Sequence, residues 1–255
     1  MQNNTFSGLF IGQNLITLKE VNSTNTFLKD ALSKSTPLYE GTVILAEKQN
    51  AGRGQAGNSW HSEAGKNLTF SILLNPTFLP LERQFDLNKA ISLGLNDVLN
   101  RYTSGNAFIK WPNDTYIGKK KIAGILIENI VSGNKIKYAI IGIGINVNQE
   151  KFASDIKNVT SLKQALHQDY DLLNLLAELC GSIEARYLQL KSGRYAELDA
   201  DYMNKLYLRD EWAPFKFDGQ IQSGKISGIT INGQLILDTP DGPRYFNNKE
   251  IEFIS

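Results

Sequence analysis

The chain has 255 residues, 42% of them hydrophobic, enough to bury the core of one large domain and a small second one. Lysine and arginine total 27 against 26 aspartates and glutamates, so the net charge of +1 argues against a dedicated nucleic-acid-binding protein. The single Cys180 and two histidines exclude a disulfide framework and a structural zinc site, which fits a reducing cytoplasm. Residues 1–10 lack the pattern of a signal peptide, and the longest apolar stretch, residues 138–147, is too short to span a bilayer.

The first third of the chain predicts a helix followed by two strands. The polar cluster at residues 22–25 precedes apolar side chains that share one helical face in residues 27–32, which indicates a capped helix. Residues 42–47 and 67–74 have the apolar density of buried strands. A glycine-rich loop over residues 51–65 joins them.

The middle of the chain alternates between the apolar pattern of helices and that of strands. A helical period covers residues 85–99, and a short strand at residues 108–111 ends at a proline. Residues 122–130 and 135–147 are predicted to form an antiparallel pair. A helical pattern then dominates residues 161–206.

The last part of the chain has a different residue pattern. Residues 214–254 contain only short β runs, broken by the turn dipeptides Asp218-Gly219, Asn232-Gly233 and Asp241-Gly242, as in a small barrel. We therefore predict an α+β fold with a boundary near Tyr207, which divides the chain into residues 1–206 and 207–255.

The segment Gly52–Gly57 satisfies the letters G-x-G-x-x-G of dinucleotide-binding folds. That fingerprint requires the loop to open directly into a helix, whereas here the chain passes through Asn58, Ser59 and Trp60 into a predicted strand. We interpret the segment instead as a loop whose backbone N–H groups can approach a phosphate or carboxylate, with Arg53 adding a positive charge. A solvated glycine hairpin is the alternative.

Four segments in order resemble the catalytic domain of biotin protein ligases. They are Ser23–Asn25, then Gln49–Gly54 with Trp60, then Lys110–Asp114 followed by Lys121–Glu128, and finally Gly142–Val147. The terminal β segment is similar to the small SH3-like domain of the same family. The resemblance implies a mixed β-sheet backed by helices, as in class II aminoacyl-tRNA synthetases, followed by a small C-terminal SH3-like β-barrel.

The resemblance also implies an activity. Such enzymes activate biotin with ATP and Mg²⁺ as biotinyl-5′-AMP and then transfer the biotinyl group to a lysine of an acceptor. The implied acceptor is the biotin carboxyl-carrier protein domain of acetyl-CoA carboxylase or a related carboxylase. Larger family members carry an N-terminal DNA-binding domain, but only 22 residues precede Ser23, so we expect the ligase-only form without nucleic-acid binding. Family members are monomers or homodimers, and an edge strand within residues 122–147 is a candidate contact.

Five residues match the family's contacts to biotin: Ser23, Thr24, Asn25, Gln49 and Gly52. Hydroxyl and amide groups suit the ureido ring, which needs both a donor and an acceptor. The alternative for the first three is plain helix capping, and both roles are compatible.

Two basic residues match the family's catalytic cations. Arg53 corresponds to the arginine that neutralises the biotin carboxylate and the phosphate, and Lys121 to the lysine that bridges the carboxylate and the α-phosphate. Lys119 and Lys120 adjoin Lys121, and spacing alone does not distinguish a solvated charge run from a functional lysine. Only the register, three residues before Gly124, selects Lys121.

The remaining matches concern the nucleotide. Besides Arg53 and Lys121, the residues assigned to ATP or the adenylate are Gly54, Trp60, Trp111, Asn113 and Asn146. Asp114 is assigned to magnesium, directly or through water, because hard cations prefer carboxylate oxygens. The alternatives are core packing for the two tryptophans and a turn after Pro112 for Asn113 and Asp114.

The loop departs from the family pattern, since Gln55, Ala56 and Asn58 stand where many members have further arginines. One of those arginines helps to retain the reactive adenylate, so we expect this chain to release some biotinyl-adenylate and to label bystander lysines. Two other functions stay open at this point. One is a lipoate or octanoate ligase of the same fold, and the other is a biotin-sensing module without turnover.

Overall fold

The computed structural model describes residues 6–34, 38–154 and 156–254. The strands, in chain order, are β1 Leu15–Val21, β2 Val43–Gln49, β3 Leu68–Leu74, β4 Ala107–Lys110, β5 Asp114–Ile117, β6 Lys120–Ser132, β7 Lys135–Ile145, β8 Trp212–Phe217, β9 Gln220–Ile229, β10 Leu235–Thr239, β11 Gly242–Phe246 and β12 Glu252–Phe253. The helices are α1 Thr24–Ser33, α2 Gln84–Thr103, α3 Leu162–Leu166, α4 Leu172–Lys191 and α5 Tyr195–Asn204.

The first seven strands form one mixed sheet in the order β1-β2-β3-β7-β6-β5-β4. Only β1 and β2 are parallel, and the other neighbours are antiparallel. Strand β3 is buried along its whole length because helices cover both faces of the sheet. Alternate side chains of β3, from Leu68 to Leu74, join the large core with α2 and α4, while Leu73 packs under α1 with Leu28, Ile44 and Ile140.

The remaining strands form a five-stranded antiparallel sheet in the order β11-β10-β9-β8-β12. Phe215, Ile226, Leu235 and Leu237 fill its interior. The indole N–H of Trp111 donates to the carbonyl of Gly233 at 3.0 Å, which ties the two sheets together through a buried hydrogen bond. The predicted fold class, a mixed sheet backed by helices with a small C-terminal β unit, is confirmed.

The fold differs from the sequence prediction at two strands. Strands β1 and β5 were not predicted, because β1 mixes polar with half-buried side chains and β5 has only four residues. The candidate edge strand within residues 122–147 stays a prediction, and the sheet order restricts it to β6, because β7 lies between β3 and β6. Within the described residues, the outer side of β6 is without a strand partner only beyond Gly124. The second sheet begins at Trp212, and the division at Tyr207 stays a prediction.

Candidate active site

A cavity of about 560 Å³ lies on the face of the large sheet that α1 covers at its N-terminal end. Its wall is built from α1, the glycine-rich loop, the β4–β5 turn, the glycines of β7 and the last residues of the small sheet. The predicted site residues found in this wall are Ser23, Thr24, Asn25, Gln49, Arg53, Gly54, Trp60, Trp111, Asn113, Asp114 and Lys121. Segments that are far apart in the chain therefore meet at one place.

Strand pairing explains which side chains face the cavity. Opposed residues of an antiparallel pair point to the same face, and the register of β6 on β7 sets Gly124, Leu126 and Glu128 opposite Gly144, Gly142 and Ile140. Ile140 packs under α1, so all six lie on the α1 face. The intervening isoleucines point into the large core. Alternation thus gives one face to packing and the other to the site.

The N-terminus of α1 carries a chain of polar contacts. Ser23 caps the helix, since its hydroxyl accepts from the Thr26 N–H at 3.5 Å, and it also lines the cavity. The Thr24 N–H and hydroxyl donate to the side-chain carbonyl of Gln49 at 2.8 and 3.2 Å. The hydroxyl of Ser71, buried on β3, lies 2.6 Å from both Thr24 Oγ1 and Asn25 Oδ1. The capping interpretation is confirmed for Ser23, and the biotin-binding interpretation, which is compatible with it, stays a prediction. Ser71 is a supporting residue that the sequence did not predict.

Two glycines of β7 let side chains lie directly on the sheet. A Cβ atom at Gly142 would lie 2.5 Å from Asn25 Oδ1, and one at Gly144 would lie 2.3 Å from the Trp60 ring. Any side chain at either position would displace a residue of the wall. The Trp60 indole N–H is buried and has no hydrogen-bond partner within the described part of the chain.

Arg53 lies on a loop that backbone hydrogen bonds hold closed, from Gly54 N–H to the Asn58 carbonyl and from Trp60 N–H to the Gly52 carbonyl. A Cβ at Gly52 would lie 2.3 Å from the Trp60 carbonyl oxygen, so glycine permits this closure. The loop turns through the 3-10 segment Gln55–Gly57 and leads to β3 rather than into an α-helix, as the sequence predicted.

Glu128 joins Arg53 to the biotin-contact candidates. One carboxylate oxygen lies 2.9 Å from Arg53 Nη2, and the other accepts from Asn25 Nδ2 at 2.9 Å. Burial opposes the charge of Glu128, but the hydrogen bonds from Asn25 and Arg53 outweigh it and hold its pKa below the usual value. Glu128 ends the segment Lys121–Glu128, but the sequence predicted no role for it. The alternation of β6 was the signal that could have placed it beside the site.

Lys121 lies opposite β5, where its ammonium group is 2.7 Å from Asp114 Oδ1 and 5.9 Å from the centre of the Trp60 ring. Lys119 and Lys120 are exposed and lie outside the cavity wall. The structure therefore brings Lys121 into the site and leaves its two neighbours in solvent.

Three further predicted residues occupy different settings. Trp111 is almost fully buried, so it serves the core as well as the wall. Asn113 is buried, and its amide donates to the Ile125 carbonyl. Asn146 is also buried, with its amide donating to the Thr160 carbonyl at 3.1 Å, and it is outside the cavity wall. Its assignment to the nucleotide stays a prediction.

The cavity wall also contains residues to which the sequence assigned no role. Lys110 donates to the Tyr116 hydroxyl at 3.2 Å and lies 5.0 Å from the Phe253 ring. Burial lowers the pKa of Lys110, although Asp114 acts in the opposite direction, and burial raises the pKa of Tyr116. From the turn between β11 and β12, Asn248 donates to the side-chain carbonyl of Gln55 at 2.6 Å. This contact joins positions 193 residues apart, which local patterns do not reveal.

Neither a metal cluster nor a membrane helix is found in the described part of the chain. No group of three or more His, Cys, Asp or Glu side chains could hold a metal ion there, and no helix is long and apolar enough to cross a bilayer.

Comparison with known proteins decides the family. A model of the biotin/lipoate A/B protein ligase family matches residues 18–146. The bifunctional ligase/repressor BirA of Bacillus spizizenii is 30% identical over 246 residues, which cover 95% of this chain and 74% of that protein. The chain belongs to the biotin/lipoate A/B protein ligase family.

Other relatives place this family member among the biotin protein ligases. The biotin–[acetyl-CoA-carboxylase] ligase of Paracoccus denitrificans is 35% identical over 245 residues, covering 92% of this chain and 99% of that protein. The structure of the biotin protein ligase from Aquifex aeolicus in complex with biotin and ATP matches with a TM-score of 0.79 at 30% identity, over 95% of this chain and 99% of that one. The prediction of an ATP-dependent biotin ligase is confirmed, and the lipoate or octanoate alternative is the less supported one.

Proposed function

We propose that the cavity binds biotin and ATP side by side, joins them as biotinyl-5′-AMP, and presents this adenylate to a lysine of a carrier protein. The observation that carries the proposal is the meeting of the polar α1 N-terminus, Arg53 and Lys121 in one cavity wall. A ligand with a ureido ring, an apolar bicycle and a carboxylate needs polar groups at one end of its pocket and positive charge at the other.

Biotin lies with its ureido ring at Ser23, Thr24, Asn25 and Gln49 in this proposal. The hydrogen bonds of Thr24 with Gln49 and of Ser71 with Thr24 and Asn25 fix the donors and acceptors before the ligand arrives. Such preorganisation reduces the entropy lost on binding. The carboxylate then points towards Arg53 and Lys121.

In the first half-reaction a biotin carboxylate oxygen attacks the α-phosphorus of ATP in line, and the bond to pyrophosphate breaks. Arg53 and Lys121 offset the negative charge that gathers on the reacting oxygens. Trp60, Trp111, Asn113, Gly54 and Asn146 are proposed to hold the nucleotide. Positioning and electrostatics supply the catalysis, so no nucleophilic side chain is needed.

Magnesium belongs to the proposal as an ion carried on the ATP phosphates. The donor set fits this role, because Asp114 offers a partly exposed carboxylate in the cavity wall and Mg²⁺ commonly takes one or two carboxylates plus phosphate oxygens. When bound, the ion would neutralise phosphate charge.

In the second half-reaction the amine of an acceptor lysine attacks the acyl carbon of the mixed anhydride, and AMP leaves. We propose that the acceptor is the biotin carboxyl-carrier protein domain of acetyl-CoA carboxylase or a related carboxylase. The curated relative from Paracoccus denitrificans is named for that reaction. We also propose a cytoplasmic location, in keeping with the free and buried Cys180, and a monomer or homodimer as the assembly.

Biotin-dependent ATP–pyrophosphate exchange tests the adenylation step without an acceptor. Purified protein with Mg²⁺ and ATP is given biotin, lipoate or octanoate in parallel. Exchange with biotin alone is the expected result. Exchange with lipoate or octanoate would overturn the substrate assignment, and tight biotin binding without exchange would favour a sensor.

A further inference from the structure

We propose that Glu128 is a positioning residue that holds Arg53 and Asn25 together and that competes with the substrate's anionic group for the Arg53 guanidinium. This inference rests on the proposed function, because it takes Arg53 as the partner of the biotin carboxylate. Nothing in the reaction itself requires a second carboxylate at this place.

The geometry of Glu128 gives it both partners at once. Its two oxygens bind different side chains, Arg53 Nη2 at 2.9 Å and Asn25 Nδ2 at 2.9 Å. Asn25 is additionally held by the Leu126 carbonyl at 3.3 Å and by Ser71 at 2.6 Å. Among the residues that the structure describes, Arg53 makes one other side-chain hydrogen bond, to the Thr26 hydroxyl at 3.4 Å. Glu128 is therefore the main anchor of Arg53 and one of several anchors of Asn25.

The site of Glu128 favours its charged form. The side chain is 21% exposed and lies on the α1 face of β6, opposite Ile140. Its carboxylate keeps the Arg53 guanidinium, which is 45% exposed, near the cavity rather than in bulk solvent. An incoming carboxylate or phosphate must share or replace this ion pair, and that exchange lowers the net gain from binding the anion.

Two opposite effects follow from removal of the charge. Without its internal competitor, Arg53 binds an anionic ligand more tightly, but Arg53 and Asn25 lose their common tether and the reaction is slower. A residue that only supports the fold would weaken binding and rate together. The split between affinity and rate therefore separates the proposed role from a structural one.

The test compares Glu128→Gln with the wild-type protein, using biotin and its alcohol biotinol, in which the carboxylate is replaced by an uncharged hydroxymethyl group. From the usual strength of partly exposed ion pairs, we expect the Kd of biotin to fall about threefold in the variant. The Kd of biotinol should not fall, and the kcat of biotin-dependent exchange should drop by roughly tenfold. Isothermal titration calorimetry and pyrophosphate exchange give the two readouts.

Controls keep the outcome interpretable. Glu20→Gln removes the exposed Glu20–Lys48 pair, which has the same 2.9 Å separation on the same sheet, and should change neither readout. If Glu128→Gln does not fold, Glu128→Asp retains the charge but is too short to reach both partners, and the same shifts in weaker form are expected.

Equal effects of Glu128→Gln on biotin and biotinol, or unchanged biotin affinity, would overturn the inference while leaving the proposed function intact. A wild-type protein that neither binds biotin nor catalyses exchange would instead overturn the proposed function.

Discussion

Lys121 and Arg53 each lie against a carboxylate, Asp114 at 2.7 Å and Glu128 at 2.9 Å. Both pairs are partly exposed, so each contributes little to stability, roughly 1 kcal/mol or less. The two ion pairs act mainly on geometry, because each fixes the direction of a long and flexible cationic side chain before the substrate binds. Substitution of these cations should therefore affect activity far more than stability.

Lys121→Gln gives the first prediction. Loss of a cation at the developing charge should reduce biotin-dependent pyrophosphate exchange about a hundredfold or more, by analogy with the loss of other preorganised electrostatic contacts. The melting temperature should change by no more than a few degrees. Lys120→Gln, at the exposed neighbouring position, is the matched control and should retain wild-type exchange. Comparable losses in both variants would contradict the selection of Lys121 by register.

Single residues differ in how far the sequence reveals them. The register of Lys121 relative to Gly124 was readable, and the structure brings Lys121 into the cavity wall. Alternation along β6 places Glu128 on the same face as Gly124, but its nearness to Asn25 follows from the pairing of β6 with β7, which the sequence did not give in register. The hydrogen bond from Asn248 to Gln55 joins residues 193 positions apart, so no local periodicity predicts it.

Among the elements, strands with continuous or alternating apolar patterns were predicted with small errors in their bounds. Strand β3, buried throughout, and the β6–β7 pair, with its alternating core face, are examples. Strand β1 was missed because it lies at the sheet edge, where Thr17, Lys19 and Glu20 interrupt the apolar pattern. It leads directly to Ser23, so the missed strand positions the start of the site.

The segment before β1 is anchored by a buried carboxylate. Glu184 of α4 accepts the backbone N–H groups of Leu9, Phe10 and Ile11 at 2.6, 2.7 and 2.8 Å. This contact fixes the chain just before β1, and therefore before the α1 N-terminus.

Glu184→Gln is expected to destabilise the protein by about 2 kcal/mol, because a neutral amide accepts these bonds less strongly and adds donors beside the N–H groups. Urea unfolding followed by circular dichroism measures the change. Glu178→Gln, on the same helix but in an exposed pair with Arg101, should cost less than about 1 kcal/mol. Equal costs for the two variants would show that the three backbone hydrogen bonds to Glu184 add no stability beyond that of an exposed ion pair.

The glycine-rich loop is the element that departs from the family pattern. Gln55 stands at one of the positions where many members have arginine, and here its carbonyl accepts from Asn248 of the small sheet. A neutral amide has less attraction for an adenylate phosphate than a guanidinium has. Release of part of the adenylate thus stays a prediction of the sequence.

Incubation with biotin, ATP and serum albumin should therefore label albumin lysines, detected on a streptavidin blot. Gln55→Arg should reduce this labelling, whereas Asn248→Ala reports whether the contact with the small sheet contributes to retention. Normal acceptor turnover without any albumin labelling would disprove the idea.

At the level of the whole molecule, the two sheets share the site. Ile251 and Phe253 of the small sheet line the cavity, and Trp111 of the large sheet donates to the Gly233 carbonyl. The different residue patterns of the two parts of the chain predicted both sheets. They did not predict that the small sheet would contribute to the cavity wall. That contribution arises from packing between distant segments, which spacing along the chain does not encode.

Trp111→Phe tests this connection. It keeps an aromatic ring but leaves the buried Gly233 carbonyl without its donor, at an expected cost of about 1–3 kcal/mol in the free energy of unfolding. Trp212→Phe, at a side chain that is 57% exposed, is the control and should be nearly neutral. Chemical denaturation of both variants provides the comparison, and equal stability would show that the indole bond does not couple the sheets.

The position of Trp60 against Gly144 has a spectroscopic consequence. The chain has three tryptophans, of which Trp60 and Trp111 line the cavity while Trp212 is exposed on the small sheet. A Trp212→Phe background would thus leave the tryptophan fluorescence to the two indoles of the cavity wall. Because the Trp60 indole lies against Gly144 with the Lys121 ammonium 5.9 Å from its ring centre, a ligand that moves either group would change its emission, without any attached dye.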